Sequence, residues 1–74
     1  MKNEDKQTLL KVAEKTFSLM PHVFNGGDFS KYFNIKAKEY YFPDTAKRMM
    51  RYLRQDGKIN YIVIDRMNSI YQKL

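Results

Sequence analysis

The chain has 74 residues, of which 43% are hydrophobic and 30% are charged. A chain of this length holds one small hydrophobic core, and its composition is that of a folded protein. We therefore expect a single domain spanning residues 1–74, and we exclude a multi-domain enzyme and a disordered chain. The absence of cysteine from the sequence excludes disulfide bonds and thiolate metal sites.

The charge is strongly basic and unevenly distributed. Fourteen Lys and Arg against eight Asp and Glu give a net charge of +6 and a pI near 9.7. Residues 1–42 carry 7 basic and 5 acidic side chains (net +2), whereas residues 43–74 carry 7 and 3 (net +4) and contain every arginine. Because such a surface attracts polyanions, nucleic acid is the first partner to consider, and the second half of the chain is the predicted working half.

The N-terminal residues are polar and charged, which is not the pattern of a signal peptide. No apolar run in the sequence approaches the roughly 20 residues that span a bilayer. We expect a cytoplasmic protein, in a bacterial cell or in the cytosol of a host, with no membrane association.

The first predicted helix runs from about Asp5 to Ser18, where apolar residues recur at spacings of three and four. Pro21 follows its end, as is typical of a helix stop. The helix is amphipathic and is a candidate surface for a homodimer, with Leu9 or Val12 as contacts if they lie exposed beyond the core.

The second predicted helix begins after Asn25, which is a favourable N-cap residue. Asp28 follows three residues later, as in a capping box, and Phe24 and Phe29 occupy the two positions of a hydrophobic staple. The sequence leaves the end of this helix open between residues 35 and 42, where either the helix extends or a loop bulges.

The third predicted helix runs from Pro43 to about residue 56. Proline is favoured at the first helical position, Asp44 suits the first turn, and Gly57 supplies the stop. Apolar residues with a helical period predict its buried face: Ala46, Met49, Met50 and Leu53.

The hydrophobic period changes after Gly57 from helical to strand-like. Residues 59–65 are rich in β-branched and aromatic side chains, which favour a strand. Residues 66–69 then form a turn and residues 70–74 alternate again. The chain is therefore predicted to end in an antiparallel hairpin packed on the helices.

The outward face of the third helix carries the candidate binding residues. At about 100° per residue, four side chains fall opposite the apolar face and three lie on its flanks: Asp44, Arg48, Arg51 and Gln55, then Thr45, Lys47 and Tyr52. In a DNA major groove, Arg can contact guanine or phosphate, Gln can contact adenine, and Thr can hold a phosphate. Alternatively, this row is only a solvated helix face, and Tyr52 packs against the hairpin.

The stretch from Thr45 to Tyr61 resembles the winged helix-turn-helix family. The stretch starts with Thr-Ala-Lys-Arg and continues with apolar residues three apart, then a glycine, one further residue and Ile59. This order is similar to the family's recognition-helix-to-wing pattern. The resemblance implies an α+β fold, a three-helix winged helix-turn-helix with a C-terminal antiparallel β-hairpin wing. It also implies DNA contacts from the hairpin tip and strands, at Arg66 and Asn68 and at Lys58 and Lys73. The connection between the second and third helices is longer than is usual in the family.

Other chemistries receive weaker support from the residues. The rings of residues 32, 33, 40, 41 and 42 could stack unpaired bases, or could serve the core of a chain without tryptophan. The run Asn25-Gly26-Gly27-Asp28 suits a helix cap better than a phosphate loop, because no Lys-Ser/Thr follows. His22 is the sole histidine, and we expect no metal, no cofactor and no catalysis.

These observations favour a sequence-specific double-stranded DNA-binding protein. We expect a small transcriptional regulator or accessory DNA-binding factor of prokaryotic or phage type, working as a homodimer or as several copies because one small domain gives modest affinity. The alternative is a winged-helix module that binds a protein partner and no DNA. A third hypothesis is binding of RNA or single-stranded DNA, which would depend on Tyr or Phe rings that stack on unpaired bases.

Overall fold

Three helices and three strands are built from residues 6–74, which are the residues that the computed structural model describes. In chain order they are α1 (Lys6–Leu19), β1 (Val23–Asn25), α2 (Gly26–Ala37), α3 (Pro43–Gln55), β2 (Tyr61–Asp65) and β3 (Ile70–Lys73). The predicted α+β class, three helices with a C-terminal antiparallel hairpin, is confirmed, and this arrangement is consistent with a winged helix. The predicted start of α1 at Asp5 lies outside the described residues.

The short strand β1 was not predicted from the sequence. It pairs antiparallel with β3, so that the sheet order is β1-β3-β2, and Phe24 lies opposite Tyr71. Interpreting residues 23–29 as a helix start alone was therefore incomplete. Three residues are too few to show a strand period, and Asn25 belongs both to the strand and to the helix cap.

The core lies between the three helices and the inner face of the sheet. Aromatic rings meet edge to face within it, with 5.8 Å between the Phe17 and Phe24 centroids and 5.5 Å between those of Tyr61 and Tyr71. Large rings give a small domain much of its buried area. The buried hydrophobic residues are Leu9, Ala13, Phe17, Met20, Phe24, Phe29, Phe33, Ala46, Met49, Met50, Leu53 and Tyr61.

The two candidate dimer contacts of helix α1 both lie against the core. Leu9 is buried in the core and Val12 is partly buried against it. Thr16 is also buried, and its Oγ1 donates to the Val12 carbonyl at 2.7 Å. Most of the apolar side of α1 therefore packs in the core with α2 and α3, whereas Leu19 at its end is exposed.

The start of α2 follows the prediction. The Asn25 Oδ1 accepts from the Asp28 backbone N–H at 2.7 Å, and the rings of Phe24 and Phe29 lie 6.1 Å apart as a hydrophobic staple. Gly26 is closely surrounded, since a Cβ there would lie 2.8 Å from the Cε of Lys47.

Helix α2 ends at Ala37 and a loop follows it, so the helix does not extend through the stretch between residues 35 and 42. Lys38 adopts the left-handed conformation with φ of 60° and caps the helix. The side chain of Asn34 then holds the loop, donating to the Tyr41 carbonyl and accepting from the Tyr41 N–H, each at 3.1 Å.

Helix α3 begins at Pro43 as predicted and ends one residue earlier than predicted. Asp56 is the C-cap residue, Gly57 takes φ of 75°, and the Lys58 N–H donates to the Leu53 carbonyl at 2.9 Å. Ile59 then packs against the core. The strand itself starts only at Tyr61, two residues later than the sequence indicated.

The hairpin places one face of β2 and β3 towards α3. Val63 lies opposite Tyr71, and a register shift between Val63 and Asp65 leaves Ile64 as an extra residue. Such a bulge strengthens the local twist of a strand. Facing residues in antiparallel strands share one side of the sheet, so Tyr61, Val63 and Tyr71 all point towards the helices.

The two left-handed residues at helix ends predict opposite effects on stability. Gly57→Ala should lower the free energy of unfolding by about 1 kcal/mol, because a side chain at this φ is strained. Strain rather than a clash sets this cost, since among the described residues no atom beyond the two chain neighbours lies within 4 Å of a methyl group there. Lys38→Gly should raise the free energy by a smaller amount, about 0.5 kcal/mol, because glycine's freedom in the unfolded chain offsets part of the relief.

Urea denaturation of both variants measures these changes. A Gly57→Ala variant as stable as the parent would show that the left-handed turn after α3 does not depend on glycine.

Candidate nucleic-acid interface

The outer face of α3 presents the predicted polar row to solvent. Asp44, Arg48, Arg51 and Gln55 are all exposed, whereas the opposite face of the helix is buried. Gln55 lines a shallow surface pocket together with Arg51 and Arg54. The structure therefore brings the arginines and the glutamine of the predicted row onto one surface.

A basic cleft lies between α3 and the hairpin. Its volume is about 350 Å³, and Lys47, Arg51 and Arg54 of α3 face it at positions i, i+4 and i+7. None of the residues that line it is acidic. The complete lining is Lys47, Met50, Arg51, Arg54, Tyr61, Val63, Arg66, Ser69 and Tyr71.

Lys47 is held in place at one end of this cleft. Its Nζ donates to the Ser69 Oγ at 3.1 Å, across 22 positions of sequence. The same turn is tied to α2, because the Gly26 N–H donates to the Ser69 carbonyl at 2.7 Å. The predicted flank residue Lys47 is therefore part of the junction between α3, the hairpin turn and the start of α2.

Arg54 belongs to the same cleft, although it was not among the residues predicted for the site. Its guanidinium carbon lies 4.8 Å from the centroid of the Tyr61 ring. Burial raises the pKa of the Tyr61 hydroxyl above its ordinary 10.0, and hydrogen bonding and charge from Arg54 oppose that rise. The spacing of seven residues from Lys47 was the available signal, since residues seven apart lie on nearly the same side of a helix.

The hairpin tip is organised by one carboxylate. Asp65 accepts from the backbone N–H of Asn68 at 3.2 Å and from its side-chain Nδ2 at 2.8 Å. These hydrogen bonds hold the pKa of the Asp65 carboxyl below its ordinary value. The amide group of Asn68, predicted as a DNA contact, therefore already serves the turn, while Arg66 is exposed beside it.

Three predicted contacts lie away from the cleft. Tyr52 is half-buried, with the Lys6 Nζ 4.3 Å from its ring centroid, so it packs towards α1 and not the hairpin. Lys58 lines a separate opening near the end of α1. Lys73 donates to the Met20 carbonyl at 2.8 Å, beyond the end of α1, so its ammonium lies on the side of the hairpin away from the turn.

Thr45 occupies the first turn of α3. Its backbone N–H donates to the Phe42 carbonyl at 2.9 Å, and its side chain is partly exposed. It therefore lies on the same end of α3 as Asp44, next to the loop that follows α2.

The aromatic residues divide between the core and the surface. Phe33 is buried, and Tyr41 packs on it with ring centroids 5.8 Å apart. Tyr40 and Phe42 are instead 70% and 71% exposed, and their rings pair edge to face at 5.6 Å. The loop before α3 therefore presents two rings to solvent, and Tyr32 is exposed on α2.

No protein-family model, curated protein or solved structure matches the chain. Within residues 6–74, none of the helices combines the length and apolar character needed to cross a bilayer. The same part of the chain contains no group of three or more His, Asp or Glu side chains placed to hold a metal ion.

The Asp65 turn predicts a measurable pH dependence at the hairpin tip. The pKa of the Asp65 carboxyl is lower in the folded than in the unfolded protein. The stability that this carboxylate contributes is therefore present above about pH 4 and is lost as the pH falls through the folded pKa. An NMR titration of the side-chain carboxyl should show this low pKa. Asn68→Ala should return the pKa towards 3.8, and Asn60→Ala, away from the tip, should leave it in place. If the pKa of Asp65 in the Asn68→Ala variant stayed as low as in the parent protein, the role of the Asn68 amide would be contradicted.

Proposed function

We propose that this protein is a member of the winged helix-turn-helix family that binds double-stranded DNA in a sequence-specific manner. In this proposal α3 enters the major groove and the hairpin lies along the backbone beside it. The protein would act as a small transcriptional regulator or accessory DNA-binding factor in the cytoplasm of a bacterium or of a host cell. The observation that carries the proposal is the exposed basic face of α3 next to a hairpin that adds further positive charge.

The side chains on this face suit a groove edge. An α-helix fits the width of the major groove, where Arg can bond guanine in a bidentate manner and Gln can bond adenine. Arg48, Arg51 and Gln55 are exposed on a helix whose opposite face is anchored in the core. A helix anchored in this way presents its outer side chains in a defined row.

The charge of the whole molecule supports the same partner. A net charge of +6 attracts duplex DNA before specific contacts form and speeds association. A single module of this kind buries only about 600–1,000 Å² on DNA, so tight binding requires paired half-sites or adjacent copies. We therefore include a homodimer or side-by-side copies in the proposal.

Charge reversal on α3 tests the proposal. The variant Arg48→Glu/Arg51→Glu should bind duplex DNA more than about thirtyfold more weakly, since each arginine contact is worth about 1–3 kcal/mol. Lys11→Glu/Lys15→Glu is the matched control, because both lysines are exposed on α1 and the change in net charge is the same. Fluorescence anisotropy with random-sequence duplex and single strands measures the affinities.

A salt series on the parent protein completes this experiment. The log of duplex affinity should fall with log salt at a slope near −0.9 per phosphate, for roughly four to six phosphates. Selection from a random duplex pool should then enrich a motif. If both double variants bind equally well, or if no duplex binds at low salt, the proposal is wrong.

A protein-binding module is the second candidate, and the ring pair of Tyr40 and Phe42 favours it. Exposed aromatic side chains are typical anchors of protein interfaces, and here a hydrogen-bonded loop holds two of them outside the core.

The second candidate makes a separate prediction. Tyr40→Ser/Phe42→Ser should abolish capture of a partner protein while leaving duplex affinity and thermal stability unchanged, because both rings are exposed. Tyr32→Ser, which also removes an exposed ring, is the control. Pull-down with purified candidates and anisotropy on DNA distinguish the two functions. Loss of DNA binding in the double variant would assign the ring pair to the DNA interface.

A further inference from the structure

The cleft between α3 and the hairpin concentrates positive charge in a small volume. Three of its cations come from α3, at Lys47, Arg51 and Arg54, and the fourth is Arg66 of the hairpin turn. With no acidic residue in the lining, these charges repel one another. An anion that enters the cleft would relieve that repulsion.

The floor of the cleft strengthens its attraction for an anion. Met50 and Tyr61 are buried and Tyr71 is half-buried, so the floor is formed by protein rather than by water. Electrostatic interactions are stronger where protein of low dielectric constant replaces part of the surrounding water. The cations therefore act on a ligand more strongly here than they do on the open outer face of α3.

The donors in the cleft have the chemistry of a phosphate site. The guanidinium group presents paired N–H donors that match two phosphate oxygens, and Lys adds a point charge. The Ser69 Oγ accepts from the Lys47 Nζ at 3.1 Å, so its own hydroxyl proton is available to a ligand. The cation–π contact with Tyr61 holds Arg54 at the rim of the same cleft.

We propose that this cleft binds one phosphate group. Its volume of about 350 Å³ lies within the roughly 300–1,000 Å³ of small-ligand sites, which leaves room for the atoms bonded to the phosphate. If the phosphate belongs to the DNA backbone, this proposal rests on the proposed function. A free phosphorylated ligand offers the same chemistry and is the other source.

A phosphate in this cleft would set the position of α3 on a duplex. Phosphate contacts orient a protein on DNA and carry no sequence information, whereas contacts to base edges specify the sequence. The phosphate would bridge α3 and the hairpin, while Arg48 and Gln55 on the outer face remain free for bases. The two surfaces of α3 therefore have separate roles in binding, and Arg51, which lies at their boundary, can serve either.

The other large opening does not have this chemistry. Its volume is about 770 Å³, and it lies between the end of α1 and the open end of the hairpin. Glu14 contributes a negative charge there, and the Lys73 ammonium is already bonded to the Met20 carbonyl. Its size therefore does not make it an anion site.

Two single substitutions test the cleft without disturbing the core. Arg66→Gln removes one cleft charge from an exposed position, and Ser69→Ala removes the hydroxyl that bonds Lys47. Lys15→Gln removes the same charge as Arg66→Gln from α1. Thermal denaturation first establishes that all three variants remain folded.

The first arm uses the protein alone with inorganic pyrophosphate as the probe. Titration at constant ionic strength should shift the backbone amide signals of residues 66–69 and 47 in a saturable manner, and should raise the melting temperature. Arg66→Gln and Ser69→Ala should weaken this binding at least about threefold, and Lys15→Gln should leave it unchanged.

The second arm uses duplex DNA over a salt series. Arg66→Gln should lower the slope of log affinity against log salt by about 1 and weaken all duplex sequences alike. Lys15→Gln should change neither the slope nor the ranking of sequences. A slope change without pyrophosphate binding would support the DNA backbone as the source of the phosphate.

The two arms separate this inference from the proposed function. Duplex binding that is unaffected by Arg66→Gln and Ser69→Ala, together with no pyrophosphate response, overturns the cleft site and leaves the proposed function standing. Pyrophosphate binding that the two substitutions weaken, without any duplex binding, overturns the proposed function and supports a free phosphorylated ligand.

Discussion

Burial of the apolar stripe of α3 is the constraint on which the rest of the structure depends. Ala46, Met50 and Leu53 are almost fully buried, and α3 packs on α1 and α2. Because successive helical side chains are about 100° apart, this burial forces the arginines of α3 onto the opposite face and onto the flank. Packing energy that stabilises the fold therefore also creates the basic surface, without any separate interaction to orient it.

The hairpin is held against α3 by contacts between distant parts of the chain. Tyr61 and Tyr71 bring β2 and β3 onto the core, and β1 closes the other side of the sheet. At the turn, Ser69 bonds both Lys47 and Gly26. These contacts set the separation between the helix and the hairpin, and hence the width of the basic cleft.

Neighbouring surfaces around α3 differ in the ligands that they suit. The outer face of α3 is open, so its charges are screened by salt, and it suits contacts to bases in a groove. The cleft is smaller and has a protein floor, which suits a phosphate. The loop with Tyr40 and Phe42 adds an apolar surface at the N-terminal end of α3. Three chemically distinct surfaces thus lie around one helix.

The sequence by itself determined the helices, the C-terminal hairpin and the outward face of α3, because caps, periodicity and glycine stops are local signals. Only the tertiary structure decided that β1 pairs with β3, that Tyr41 turns inward between two exposed rings, and that Arg54 joins the cleft. It also decided that Lys73 caps α1 and that the Asn68 amide serves the turn. Each of these depends on which side chains meet after folding, and neither composition nor local spacing contains that information.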